Sequence, residues 1–432
     1  MKIISQLSMF DESENELFEG DLSRLKAVLE NLSDEKLIQK LNHIRGNGRD
    51  DWPVYAMWNS FVASFIFDHE SVKSLIRELN RNSQLRDICG FKPHTVRMND
   101  GNTKIVVAPS ESAYSKFIKN LVTHCSDEIS DMFQSLVDYM YENLDGFGEC
   151  LMVDGKAIQS FATKTSTSNN SGNRGEHDAD WCCKTYSSST PTGERITKKV
   201  SWFGFRLHLI ADADYELPVA FKVTKASESE KTITHNMLNE EKEDHKDRID
   251  KCEFMLGDRG YDSTALIEWL EDQEIKPIID ICNHWKDGEE TKQYRDTDLV
   301  YNYRGDVWYV DDNGKKIKLQ YKGYDAGTDS LRYGFKPQEN DNRQFRIKCS
   351  EDRRIFCPVA RDSMKWQRIY NKRSGIERIN GRIDRDYEFE RHTIRGLDKM
   401  NMFISVTMII YLAVAKVKIE VGQTEHLCSL YA

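Results

Sequence analysis

The chain has 432 residues, of which 39% are hydrophobic and 31% charged, and its formal net charge is -10. That length allows two or three domains with a sizeable core. The acidic balance excludes a protein that coats nucleic acid indiscriminately, but it leaves open a local, specific DNA contact.

Residues 1–6 lack the long apolar region of a signal peptide, and acidic residues begin by Asp11, so no targeting segment is expected. From Leu17 to Ile44 apolar residues recur at three- and four-residue steps, with a break near Asn31 and a helix start at Ser33-Asp34-Glu35. Pro53 opens an apolar helix, and short helices follow over 71–80 and 83–89, stopped by Gly90 and Pro93. Helices over 110–119 and 127–144 lead to Asp145-Gly146-Phe147-Gly148, read as a hinge. After a strand ending at Asp154, residues 163–199 are rich in Ser, Thr, Asn and Gly and predict an exposed loop. Trp181 on that loop either pins it to the domain or stacks on an unpaired base.

Strands are expected over 200–211, 217–223, 254–256 and 276–281, with a helical stretch starting at His235, a pattern that fits a mixed α/β sheet. From Leu299 to Lys348 short alternating strands, with Asp312-Asn313-Gly314 as a hairpin turn, predict an inserted β-rich subdomain. A helix over 364–379 follows. The apolar run 402–414 is shorter than a bilayer span and reads as a buried core helix, so no membrane contact is expected. None of the ten cysteines forms a CxxC pair, so free thiols in a reducing compartment are expected ahead of zinc at Cys182-Cys183 or at Cys349 and Cys357.

Two strand-to-turn corners share one design. Leu151-Met152-Val153-Asp154-Gly155 and Phe254-Met255-Leu256-Gly257-Asp258 each run an apolar strand into an aspartate beside glycine. Reactive groups gather beyond the carboxyl ends of strands in open α/β sheets, although Asp258 also suits a simple turn cap. Tyr370, Arg373 and Glu377 stand at steps of three and four, on one face of a helix. Around them, nine Lys and Arg residues lie between 365 and 395, among them Lys372, Arg382 and Arg385. They form either a strip for a phosphate backbone or a salt-bridged surface.

Those corners and the Tyr370, Arg373, Glu377 spacing resemble the DDE transposases of the bacterial insertion-sequence four/five superfamily. The segments 202–209 and 216–221 match the strand pair such enzymes carry between their two aspartates, and 109–117 is similar to part of their helical N-terminal domain. One departure stands out: the family signature ends with a lysine seven residues after the glutamate, and this chain has Asp384, flanked by Arg382 and Arg385. Either a neighbouring arginine takes the basic role or that contact is missing.

The resemblance implies an α/β, ribonuclease-H-like mixed sheet with flanking helices, a β-rich insertion and an all-helical N-terminal domain. The expected boundaries are 1–145 for the helical DNA-end-binding domain, 146–293 and 355–432 for the two parts of the catalytic domain, and 294–354 for the insertion. It also implies Asp154, Asp258 and Glu377 as catalytic residues and ligands of two Mg²⁺ ions, with Mn²⁺ as a substitute. Tyr370, Lys372, Arg373, Arg382, Arg385 and Trp181 are the candidates for DNA contact. Transposon-end and target DNA are the expected partners, bound by a homodimer in the bacterial cytoplasm at the nucleoid. A metal-dependent nuclease without strand transfer, or a catalytically silent DNA-binding relative, remains the alternative.

Overall fold

A computed structural model describes residues 20–48, 50–97, 101–164, 175–189 and 195–430. The acidic stretch at 11–19 and parts of the Ser/Thr-rich segment, 165–174 and 190–194, lie outside the described residues. The described residues begin with five helices: α1 (Asp21–Asn31), α2 (Glu35–Arg45), α3 (Val54–Ile66), α4 (Val72–Arg81) and α5 (Ser83–Cys89). Local chemistry sets their ends. Pro53 precedes the first residue of α3, Ser71 and Ser74 form a reciprocal cap on α4, and Gly90 ends α5 in the left-handed region at φ 93°.

A hairpin of β1 (His94–Arg97) and β2 (Thr103–Val106) follows, then α6 (Glu111–His124) and α7 (Ser126–Asn143). The expected hinge at 145–148 is instead a packed corner. Phe147 is fully buried, and the Gly148 N–H donates to the buried Asp212 carboxylate at 2.8 Å. The N-terminal helices also share one apolar core with the C-terminal part of the chain, where Phe61 meets Phe403 edge-on at 5.2 Å.

The central sheet is built from β3 (Cys150–Gln159), β4 (Asp180–Ser189), β5 (Arg195–Asp212) and β6 (Pro218–Lys225), then β7 (Phe254–Gly257) and β8 (Lys276–Ile279). Between β6 and β7 lie α8 (Glu230–Asp244) and α9 (Lys246–Lys251), and α10 (Thr264–Asp272) joins β7 to β8. The strand order is β4-β5-β3-β7-β8, with β6 also paired to β5. β5 is antiparallel to β3, β4 and β6, whereas β3, β7 and β8 run parallel to one another. This is the ribonuclease-H-like mixed sheet. The supposed loop over 163–199 is thereby corrected for its described part: 180–189 is a ten-residue strand paired with β5.

The insertion forms two antiparallel sheets. The first is β9 (Lys292–Gln293), β10 (Leu299–Tyr301), β11 (Val307–Val310) and β12 (Lys316–Lys318); the second is β13 (Gln320–Asp325), β14 (Ser330–Gly334) and β15 (Gln344–Lys348). Its apolar core is separate from the main one and draws on residues from Ile281 to Ala360, wider than the segment 294–354. The chain returns through α11 (Met364–Asn371) and α12 (Ser374–Arg385) to α13 (Leu397–Glu420). By length and composition α13 is apolar enough to cross a membrane, but 83% of its most apolar window is buried, against α1, α7 and β6. It is the keel of the main core, as its apolar run suggested.

Candidate active site

Strand register brings the two aspartates together. β3 and β7 are parallel neighbours, with Met152 opposite Leu256. Asp154 and Asp258 each lie two residues further on, so both side chains leave the same face on adjacent strands, which are spaced about 4.8 Å apart. Asp154 is largely buried, and its carboxyl is held above the usual range by burial first and then by the charge of Asp258. Glu230 pushes the same way, while the Gly155 N–H and Lys184 oppose it. Asp258 accepts the Gly260 N–H at 2.7 Å, so it caps its turn and also faces Asp154.

The glutamate comes from the other side. The single helix expected over 364–379 is broken at Lys372 and Arg373, where α11 ends and α12 begins. Tyr370 closes α11, stacked on Trp366 with ring centroids 4.4 Å apart. Arg373 lies 5.9 Å from the Tyr370 ring and donates to Glu377 Oε1 at 2.6 Å. Burial weakens the charged state of Arg373, but its Glu377 hydrogen bond, Tyr370 and Asp258 together hold its pKa above the ordinary arginine value. One turn beyond Glu377, Asn380 Nδ2 donates to Asp154 Oδ2 at 2.8 Å. One turn further, Asp384 pairs with Lys156, only 8% of whose side chain is exposed. Helix α12 is thus fastened along β3. Asp154 and Asp258 are brought together, whereas the Glu377 carboxylate, 60% exposed, is paired with Arg373 rather than turned onto either aspartate.

The transposase DDE domain family matches residues 148–413, which span both aspartates, the insertion and α12. The chain belongs to the DDE transposase family. No curated protein sequence matches it. Among solved structures, the piggyBac transposase synaptic complex with hairpin DNA aligns at 9% identity over 94% of this chain and 76% of that one, with a TM-score of 0.38. The pre-cleavage Mos1 transpososome aligns at 8% identity over 54% of this chain and 60% of that one, with a TM-score of 0.18. Both overlaps are loose, and the family assignment rests on the sequence match.

In this transposase much of the expected basic strip is spent on the protein itself. The Arg382 side chain is 16% exposed, lies 2.7 Å from Glu216 Oε2 and donates to the Tyr411 hydroxyl at 3.1 Å. Lys372 is likewise paired, at 2.6 Å from Asp214. Arg385 is 77% exposed and reaches Asp386 at 2.7 Å. Trp181 is 54% exposed on β4, with its ring centroid 5.6 Å from that of Phe203. It therefore stands on a strand and not on the loop assumed for it.

Sequence reading missed Asn380, Lys156, Lys184 and Glu230. Glu230 is the first residue of α8, behind a Ser229 cap; starting that helix at His235 concealed it. Its carboxylate lies over Gly155, where an added Cβ would come 2.5 Å from Glu230 Oε1. Lys184 Nζ lies 2.8 Å from the same oxygen, and Nη1 of the buried Arg206 lies 3.4 Å from it. The donors around Asp154 are hard oxygens, and Asn380 Oδ1 is buried without a hydrogen-bond partner. Such a set suits a hard divalent cation.

Proposed function

We propose that this DNA transposase cleaves at the ends of an insertion sequence and joins the freed ends to target DNA. Members of its family generally use divalent metal ions. Mg²⁺, or Mn²⁺ in its place, would be held as a pair by Asp154, Asp258 and Glu377. A divalent ion supplies charge neutralisation at the phosphodiester, whose own negative charge otherwise repels nucleophiles. The carrying observation is the convergence of Asp154, midway along β3, and Asp258, just past the end of the neighbouring β7, with the Glu377 helix fastened to Asp154 through Asn380.

The protein's own residues then divide the work. Asp154 and Asp258 fix the reacting centre on rigid strands. Arg373 leaves Glu377 for a DNA phosphate, which it grips bidentately, and Tyr370 positions the adjacent backbone. In the first step water displaces a 3'-oxygen from phosphorus: one P–O bond forms, one breaks, and a 3'-hydroxyl is released. That hydroxyl next attacks a target phosphodiester, again exchanging one P–O bond for another. Two ends must be held together for joining, so a homodimer is the expected reacting unit, acting on DNA in the bacterial cytoplasm.

Labelled end DNA incubated with Mg²⁺ tests this reading. Wild type should yield cleaved and joined products, while D154N, D258N and E377Q should lose both yet still bind end DNA. Cleavage retained by any one of them removes that residue from the site. Cleavage without joining of precut ends would identify a nuclease instead.

A further inference from the structure

Asn380 is given no step in the chemistry proposed above, although it makes the only hydrogen bond from α12 to the Asp154 side chain among the described residues. Its amide is oriented with nitrogen toward the carboxylate, the arrangement in which the two attract; the reverse would set two oxygens against each other. Helix and strand periods explain why the contact recurs. Asn380 and Asp384 are four helical residues apart, about 6 Å of rise, and Asp154 and Lys156 are two strand residues apart, about 6.6 Å. Two rungs therefore form side by side, Asn380 on Asp154 and Asp384 on Lys156. Glu377 lies within about 60° of both rungs around α12. The opposite flank is held as well, since Arg378 and Arg382 both pair with Glu216 in the β5–β6 turn.

We propose that Asn380 is a positioning residue of the catalytic site, orienting the Asp154 carboxylate and tying the glutamate helix to the strand that carries the first aspartate. The inference rests on reading Asp154 and Glu377 as cation-binding carboxylates. Through this tie the placement of Glu377 and the orientation of Asp154 are set together, and neither is adjustable alone. Removing a partner that orients a metal-ligating carboxylate typically costs about 10- to 100-fold in metal affinity.

The test is Mn²⁺ titration of the full chain without DNA, read by calorimetry, together with amide hydrogen exchange over 374–385. D154N should abolish the binding. N380A should raise the Mn²⁺ dissociation constant about tenfold or more and speed exchange in α12 while leaving α13 protected. N380D keeps the size but sets a second carboxylate against Asp154; it should loosen α12 in the metal-free protein, and Mn²⁺ should restore its protection beyond the wild-type gain. This second variant reads the tie even if N380A folds poorly. Wild-type Mn²⁺ affinity in N380A, or unchanged α12 exchange in both variants, would overturn the proposal. Mn²⁺ binding that survives D154N would instead refute the carboxylate assignment, and the Asn380 role with it; the two failures differ in whether the D154N loss is seen.

Discussion

Asp384 occupies the position where the family signature carries lysine, and its pairing with Lys156 makes a definite prediction. Lys156 projects from β3 with 8% of its side chain exposed, against 38% for Asp384. Removing one partner of a buried ion pair costs about 3–5 kcal/mol because the other charge is left without compensation. The partial exposure of Asp384 screens this pair, so about 2–3 kcal/mol is the appropriate figure for D384A. D384K adds repulsion between like charges, up to about 4 kcal/mol at 4 Å and an effective dielectric of 20, less whatever the new side chain recovers by swinging into solvent. The double variant K156D/D384K restores an opposite-charge pair and should regain at least half of the loss. Melting temperature measures stability and end cleavage measures function. D384K is expected to melt lower and cleave less, although it restores the family residue. A D384K protein as stable as wild type and more active, or a double variant no better than the sum of the singles, would refute the clamp and make residue 384 a DNA contact.

Two further outcomes concern the surroundings of Asp154 and the buried carboxylates. G155A pushes a Cβ to within 2.5 Å of Glu230 Oε1, so that carboxylate must leave its Lys184 and Arg206 partners. A loss of about 1–3 kcal/mol in unfolding free energy is expected, with cleavage reduced more than DNA binding. Glu241 is raised to about 7, chiefly by burial, with Arg248 opposing. A carboxyl raised in the folded state stabilises fully below its unfolded pKa, and that contribution fades as pH climbs through about 7. The gap from 4.5 to about 7 is worth roughly 3 kcal/mol. E241Q should therefore gain stability relative to wild type between about pH 5 and pH 8 in thermal melts, and a constant difference would refute the assignment.

The fold was legible where local rules decide. Caps and breakers marked the N-terminal helices, and two apolar runs ending in aspartate marked the central strands. β4 escaped because Asp180–Ser189 is mostly polar and none of its described side chains is fully buried, so composition gave no apolar alternation to read. The β1–β2 hairpin escaped for a similar reason, having two four-residue strands with little burial. The break between α11 and α12 was invisible because Lys372 and Arg373 both keep right-handed helical angles; only the hydrogen bonding changes there. Asp154 and Asp258 could be found because each follows a short apolar run beside a glycine, although only Asp258 stands at a turn: β3 continues through Asp154 and Gly155 to Gln159. Asn380 and Lys156 could not, since their partners lie 226 and 228 residues away and are set by the docking of α12 on β3.

The same limit governs the basic strip, and it separates permanent clamps from exchangeable pairs. Sequence shows where the cations are but not what holds them. Arg382 sits 16% exposed against a Glu216 side chain that is 13% exposed, and Glu216 itself is held at φ 56° in a tight turn. Withdrawing Arg382 to reach DNA would take one of two arginines from a buried carboxylate that Arg378 also holds, at a cost of about 1–3 kcal/mol. The Arg373–Glu377 pair differs: it is an i,i+4 contact to a glutamate 60% exposed, worth about 0.3–0.5 kcal/mol. On the proposed reading a phosphate reaching Arg373 would displace Glu377 at little cost, which would couple DNA contact to release of the glutamate. R373A should then weaken end binding and lower the slope of log affinity against log salt by about one. R382A should instead lower the melting temperature and leave that slope unchanged. Should R382A flatten the salt dependence while R373A does not, the roles given to these two arginines would be reversed.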